Sequence, residues 1–410
     1  MSLRNAEKSL PQKRISALPK GTEPSIKWNG KEGYIDSPLL TEAPDEGVWK
    51  EIIADWDLDP RKVEIVEGSV HIRGWDANVG NGEVKRMRYY RASIKSREEL
   101  GDRADIEALC QEVMRWKAPK GKRPEAGTGN RAFVIIVSDW QAGKGEGGGS
   151  PALIERVNQS FEIAIDRLRE LVKCGRTPSV IYIIGLGDLI ENCTGHYAQQ
   201  TFGVDLDRRS QMRLVRRLLL KFVDMLVELF DIPIVLGAVA GNHGENRNAS
   251  GKSFTQWTDN DDLAVFEQLG EILSQNPKYE QVTVPDFDAI LNDDDLSLTL
   301  DICGVPTSFA HGHQFGKGGN SVQKIEAWLT GQVMGKRPVS QCAILFSGHY
   351  HHFVCSEGTG RTIFQSPALD GGSNWFTSQT GKHSPAGMIT IGIGLDYGVR
   401  GWGDLMVIGQ

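Results

Sequence analysis

Apolar and polar positions divide the chain into unlike parts. From residue 131 onward, apolar runs of strand length alternate with stretches of helical period. "AFVIIVSD" (132–139) and "SVIYIIGLGD" (179–188) are continuous apolar runs, as expected of strands buried on both faces. Between them, "PALIERVNQSFEIAIDRLRELVKCG" is expected to form a helix that ends at Lys-Cys-Gly. "RSQMRLVRRLLLKFVDMLVELF" (209–230) predicts a long amphipathic helix before the strand "IPIVLGAVAGN". "LSLTLDICGVPTSFAHGH" predicts a pair of strands turning at Gly304, and "SVQKIEAWLTGQV" a helix. The end is strand-rich: "CAILFSGHYHH", "RTIFQSPAL" and "GMITIGIGL". This order predicts an α/β domain with a β-sandwich at its centre, not two Rossmann halves.

The upstream third is patterned differently. Residues 1–35 mix Lys, Arg, Pro, Gly and Ser with few large apolar side chains, which predicts a flexible basic arm. Residues 36–118 are expected to fold as a small α+β module. "DEGVWKEIIADWDL" predicts a helix with Val48, Ile52 and Ile53 near one face, stopped at Asp59-Pro60. Alternating strands follow in "VEIVEGSVHIRGW" and "MRYYRASI", then a helix over "SREELGDRADIEALCQEVMRW". Trp49, Trp56, Trp75, Tyr89 and Tyr90 interleave with Arg73, Arg86, Arg88 and Arg91. That pattern suits either a stacking platform for single-stranded nucleic acid or a small core filled with aromatics. Residues 119–130, rich in Pro, Gly and Lys, are expected to link the module to a domain spanning 131–410.

Composition adds bounds. Hydrophobic content of 40% and charged content of 24% over 410 residues suit a soluble globular chain. No apolar stretch approaches the ~20 residues that cross a bilayer. The polar, basic start carries no secretory signal, so a cytoplasmic protein without membrane contact is expected. Six scattered cysteines suggest reduced thiols. A net charge of -7 argues against coating nucleic acid but leaves room for a local basic groove.

The histidines carry the sharpest signal. Six of nine fall in "GNHGE", "AHGH" and "GHYHH", and each patch follows an apolar strand. Core packing would scatter them, whereas clusters at strand ends suit metal coordination. Asp139, Asp188 and Asn242 likewise stand just past apolar strands; singly each would be a cap or turn residue.

The ordered set Asp139-x-Gln141, Gly187-Asp188, Gly241-Asn242-His243-Gly244-Glu245, His311-Gly312-His313 and Gly348-His349-x-His351 resembles the calcineurin-like metallophosphoesterases, over roughly 131–376. The first block has Gln141 where the family has His, and the third has Gly244 before Glu245. The resemblance implies a four-layer fold, a β-sandwich flanked by helices, preceded here by the small module. It implies two divalent ions, one on Asp139, Gln141, Asp188 and His351, the other on Asp188, Asn242, His311 and His349, with Asp188 bridging. His311 is chosen over His313 by the family's habit. A metal-bridged hydroxide then attacks phosphorus in line, with His243 assisting at the leaving oxygen. Glu245 would orient His243 or pack behind it, and Asn192 would approach the substrate. The module's place before such a domain looks like bacteriophage-encoded members, which implies host cytoplasm; its own partner is unknown.

Gln141 can ligate only through a neutral oxygen, which favours Mn2+ or Mg2+ over Zn2+ or Fe and implies a looser first metal, or none there. Arg208, Arg209 and Trp257, with further arginines and aromatics nearby, lean toward DNA or RNA as substrate. A weaker likeness to SbcD-type DNA-end nucleases implies a homodimer through the 209–230 helix. The alternatives are a small-molecule phosphoesterase, such as a cyclic nucleotide phosphodiesterase or a phosphomonoesterase, and a non-catalytic module on a decayed site. Gly143-x-Gly145-x-x-Gly148 also matches a dinucleotide-binding pattern, but that needs an acidic residue where the chain is still helical. Its glycines are expected instead to form a mobile lip beside the metals.

Overall fold

The computed structural model describes residues 24–96 and 121–409, apart from 30–31, 39, 41–42, 57, 61, 67, 79–83, 198–199, 249, 285–295, 359, 373–376 and 379–382. The chain divides into two compact units between Ala104 and Asp105. The helix expected over 96–116 and most of the N-terminal arm lie outside the described residues.

The smaller unit is one mixed element set, a five-stranded sheet with a helix. Strands β1 (Ile26–Trp28), β2 (Glu32–Asp36), β5 (Val84–Ser96) and β3 (Val63–Ile65) lie in that order, and β4 (His71–Asn78) pairs with β5. Helix α1 (Glu46–Asp55) is capped by the Asp45 side chain, which accepts from the Val48 N–H, and buries Trp49, Ile52 and Ile53. It stops at Trp56, earlier than Asp59-Pro60. Residues 24–35, expected to belong to the arm, supply β1 and most of β2: Ile26, Trp28 and Ile35 reach the core and outweigh the polar average. Trp49 and Tyr90 are core residues here, Tyr89 is buried and Trp56 packs against the same core, as the packing alternative expects. Arg91 forks onto the buried Asp36 carboxylate through Nε (2.7 Å) and Nη2 (2.8 Å).

The larger unit holds two sheets around one apolar core. The first runs β16 (Trp402–Gly409), β15 (Gly387–Ile393), β6 (Ala132–Val137), β7 (Val180–Gly185), β8 (Ile234–Ala238), β9 (Val282–Thr283), with β6 to β9 parallel. The second runs β10 (Ser297–Ile302), β11 (Val305–Ala310), β12 (Ile344–Ser347), β14 (Arg361–Gln365), β13 (Val354–Gly358), with β11, β12 and β14 parallel. Phe309, Phe346 and Phe364 stand in register across those three strands and join the core of the first sheet. Their neighbours Ala310, Leu345 and Ile363 point the other way, as the two-residue period requires, and pack with Ile325 and Leu329 of α5 (Ser321–Met334). Helices α2 (Gly149–Lys173), α3 (Arg208–Leu229) and α4 (Asp261–Ser274) bury their apolar stripes in the shared core. The apolar face of α3, from Leu214 to Val227, is thus used within the chain itself.

Residues 121–130 are bound to the larger unit: Gly127 N–H donates to Pro178 O, Asp231 N–H to Pro124 O, and Arg123 Nη1 to Val227 O (2.7 Å). Five cysteines are described and all are free. Among the described residues no helix is long and apolar enough to cross a membrane.

Candidate metal centre

The parallel strands of each sheet end at the same edge, and the loops that follow them converge. The loops after β6 and β7 are stitched by Asp139 N–H to Gly187 O, Gln141 N–H to Asp188 O, and Ala142 N–H to Leu189 O. Gly348 N–H donates to His311 O, joining the loops after β11 and β12, and Leu369 N–H donates to Asp139 O. Gly241 allows the closest approach: a Cβ there would lie 2.2 Å from the Asp188 nitrogen.

These loops are strained as well as close. Six of the nine described non-glycine residues with positive φ are here: Asp139, Gln141, Asp188, Asn192, His349 and His351. Each costs on the order of 1 kcal/mol, and such outliers gather at functional sites.

Asp188, His311 and His349 each offer a ligand atom within 4.8 Å of the others. His311 Nε2 lies 2.9 Å from Asp188 Oδ2 and 3.1 Å from Asn242 Oδ1. Its Nδ1 is 2.6 Å from Leu186 O and donates to it, so Nε2 is the nitrogen aimed at the carboxylate. Burial disfavours charge on Asp188, but the imidazoles of His311 and His243 outweigh it and hold the carboxyl well below its usual range. Burial would likewise neutralise His311, but Asp188 raises it to about 9. His349 is pushed down to about 4 by burial and by His311, which leaves it neutral with a lone pair to give. One carboxylate, one amide oxygen and two imidazoles, that of His311 oriented by Leu186 O, fit a divalent cation.

The other side departs from the set the resemblance implies. His351 Nε2 is 3.2 Å from Asp139 Oδ1, and the His349 N–H donates to the same carboxylate (3.1 and 3.0 Å). Gln141, however, turns its Oε1 to Lys144 Nζ (3.0 Å) and its Nε2 toward His243 Nε2 (3.5 Å). Lys144 is ion-paired to Asp370, which also lies 3.4 Å from His351 Nδ1. Burial works to raise the Asp370 carboxyl, and His351 and Lys144 together bring it far below the carboxylate range. The four donors implied for a first metal are therefore not all presented to one point.

His243 is set by its neighbours. Its backbone N–H donates to Asp188 Oδ1 (2.7 Å), and Nδ1 faces Glu191 at its main-chain O (2.8 Å) and Oε2 (3.5 Å). Glu191 also receives the Tyr197 hydroxyl (2.6 Å). Glu191, and not Glu245, is thus the carboxylate beside His243; Glu245 pairs with Arg247 (3.0 Å) and lies 3.7 Å from His313 Nε2. Asn192 Nδ2 donates to His243 O (2.9 Å), and the His196 ring stacks on His243 with centroids 4.3 Å apart. His313 stays behind His311, where burial drives it down to about 3. Arg208 is committed to a bidentate pair with Asp261 (2.6 Å each), Arg209 is exposed, and Trp257 packs against the main core.

Four polar residues of this site escaped the sequence reading: Lys144, Glu191, Asp262 and Asp370. Asp262 is fully buried and accepts from the Asp188, Leu189 and Gly241 N–H groups. A signal existed for Asp370, a carboxylate just past β14 as Asp139 is past β6. The glycine loop is not a mobile lip: Arg156 donates to Gly147 O and Leu369 O (2.9 Å each), and Gly145 N–H to Gly203 O.

No protein-family model matches this chain, and no curated protein does either. Similar solved structures include vacuolar protein sorting 29 of Cryptosporidium parvum, 13% identical over 64% of this chain and 86% of that one, TM-score 0.28. An archaeal phosphodiesterase is 11% identical over 67% and 99%, TM-score 0.31. Vps29 of Entamoeba histolytica in complex with Zn2+ is 11% identical over 68% and 98%, TM-score 0.28. What the site can do is read from its own residues.

Proposed function

We propose that this chain is a metal-dependent phosphoesterase that cleaves phosphodiester bonds in DNA or RNA, built on the four-layer fold of the calcineurin-like metallophosphoesterases. The observation that carries this is the gathering of Asp188, Asn242, His311 and His349 from four strand ends around one point, with His243 beside it. These four residues would hold the ion, and Mn2+ suits their mixed oxygen and imidazole donors. A divalent cation there supplies charge stabilisation at a phosphoryl oxygen and lowers the pKa of water.

The chain's own residues do the rest. His243 turns Nδ1 to the Glu191 main-chain O and Nε2 toward the Gln141 amide, and its imidazole would pass a proton to a leaving oxygen. Asn192 and Asp188 fix its backbone on both sides, so the ring is aimed before substrate arrives. Three aromatics support a nucleic-acid substrate: Tyr197 (48% exposed), Phe202 (70%) and Phe254 (66%). They sit on two loops that meet where a Cβ on Gly195 would touch Arg247 (2.7 Å), and Tyr197 reaches Glu191 directly. Exposed aromatic faces on the loops that follow Asp188 and Asn242 suit unpaired bases.

The test offers Mn2+-loaded protein a labelled single strand, a duplex with free ends and a chromogenic phosphodiester. Cleavage of the strand is expected, with His243→Ala inactive yet still metal-bound. Cleavage of the small ester alone would refute the nucleic-acid reading, and no turnover on any substrate would refute the enzyme.

A further inference from the structure

We propose that the Lys144 ammonium is a built-in cation on the Asp139–His351 side of the site, so that the chain holds one tightly bound divalent ion and not two. This rests on the metal-dependent reading above and assigns a role to residues outside it. Lys144 Nζ lies 3.0 Å from Gln141 Oε1 and touches Asp370 Oδ2, with its side chain only 11% exposed and that of Asp370 3%. A lysine so placed is not a solvated surface charge. Asp370 is itself fixed, its Oδ1 accepting from the Gly372 N–H (3.0 Å) and its Oδ2 lying 3.4 Å from His351 Nδ1.

The backbone holds the ammonium in place. Lys144 N–H donates to Gln141 O, and Lys144 bridges to Val204 on a neighbouring segment. Arg156 clamps the loop at Gly147 O, and a Cβ on Gly147 would lie 2.9 Å from Asp370 O. Residues 144 and 370 are thereby set against each other by main-chain contacts.

Three elements fit together. The residue that would be an imidazole ligand is a neutral amide, its oxygen is spent on an ammonium, and the ammonium's counterion is the carboxylate beside His351. A divalent ion bound to Gln141 Oε1 at ~2.1 Å would lie within about 5 Å of Lys144 Nζ, a like charge it cannot displace without breaking the Asp370 pair. Lys144 instead gives this side a positive charge that needs no metal, one residue removed from His243 through Gln141 Nε2. A compact, fixed ammonium is suited to neutralising a phosphoryl oxygen.

Titrating the purified full chain with Mn2+ by calorimetry, and counting metal per chain by mass spectrometry after gel filtration, tests this. One tight equivalent is expected. The double variant Gln141→His with Lys144→Met should bind a second equivalent at least about 100-fold tighter than the wild type does, the scale set by removing a unit like charge ~5 Å from a dication. Lys144→Gln with Gln141→His, closer in polarity, should do the same if the methionine variant fails to fold. Two equally tight equivalents in the wild type would overturn the proposal while leaving the metal-dependent reading intact. Folded double variants that gain no second ion would overturn it too. A wild type that binds no metal, or keeps its one ion when both His311 and His349 are alanine, would overturn the metal reading itself and this proposal with it.

Discussion

Asp262 is the residue whose removal tests the architecture of the site most directly. Its carboxylate accepts from three backbone N–H groups: Asp188 (2.8 Å), Leu189 (2.9 Å) and Gly241 (3.1 Å). It therefore ties the turn after β7 to the turn after β8, the two that carry Asp188 and Asn242. In Asp262→Ala all three donors lose their acceptor in a fully buried place. Each orphaned buried donor costs ~1–3 kcal/mol, hence about 3–9 kcal/mol with no relief. Two effects reduce it. The vacated volume admits a water, and removing one carboxylate relieves repulsion with Asp188, which together with burial pushes the Asp262 pKa upward. A net loss of about 3–5 kcal/mol is expected, with weaker Mn2+ binding because Asp188 no longer has a fixed backbone. Asp262→Asn, which must turn an NH2 toward at least one N–H, should lose less. Urea denaturation of the full chain, following the transition that Mn2+ stabilises, gives the first quantity and calorimetry the second. An alanine variant within ~1 kcal/mol of wild type, with unchanged metal affinity, would refute the reasoning.

Gly147→Ala should destabilise by about 1–3 kcal/mol, since φ is +64° and its Cβ would lie 2.9 Å from Asp370 O; thermal melts decide it. In the smaller unit, burial raises the Asp36 carboxyl but the Arg91 fork outweighs it and lowers it below its usual value. A depressed acid pKa contributes stability that is present above the unfolded value of ~3.9 and is lost as pH falls through the folded one. The wild type should therefore lose stability below about pH 4 more steeply than Asp36→Asn, which pH-dependent melts would show. Arg91→Met at neutral pH should cost about 1–3 kcal/mol by stranding a buried carboxylate, with the lower end favoured because Arg91 is half-exposed. Chelation should abolish phosphodiester turnover and lower the melting temperature of the metal-bound transition, and Mn2+ should restore both.

Strands and candidate site residues were legible in the sequence for the same physical reason. A strand buried on both faces must be apolar throughout, so the polar residue that ends it stands out, and β6, β7, β8, β11 and β12 each end just before Asp139, Asp188, Asn242, His311 and His349. The residues that hold those side chains in place carry no such contrast. Asp262 lies in the first turn of α4, where an acidic residue is unremarkable on dipole grounds, and nothing local distinguishes a carboxylate that faces solvent from one that accepts three buried N–H groups. The aromatics of the smaller unit were ambiguous because alternation says that a side chain is buried, not what it is buried for. Lys144 stands among glycines whose use is close approach, and a glycine run gives no signal for a buried lysine within it. Gln141, Lys144 and Asp370 form one electrostatic unit, but Asp370 lies 226 positions from Lys144 and no spacing rule spans that distance. Only the meeting of the loops after β6 and β14 turns an apparent missing ligand at Gln141 into half of an amide–ammonium contact. A substitution that looked like decay of the site is, in the folded chain, matched by a second charge brought in from its other edge.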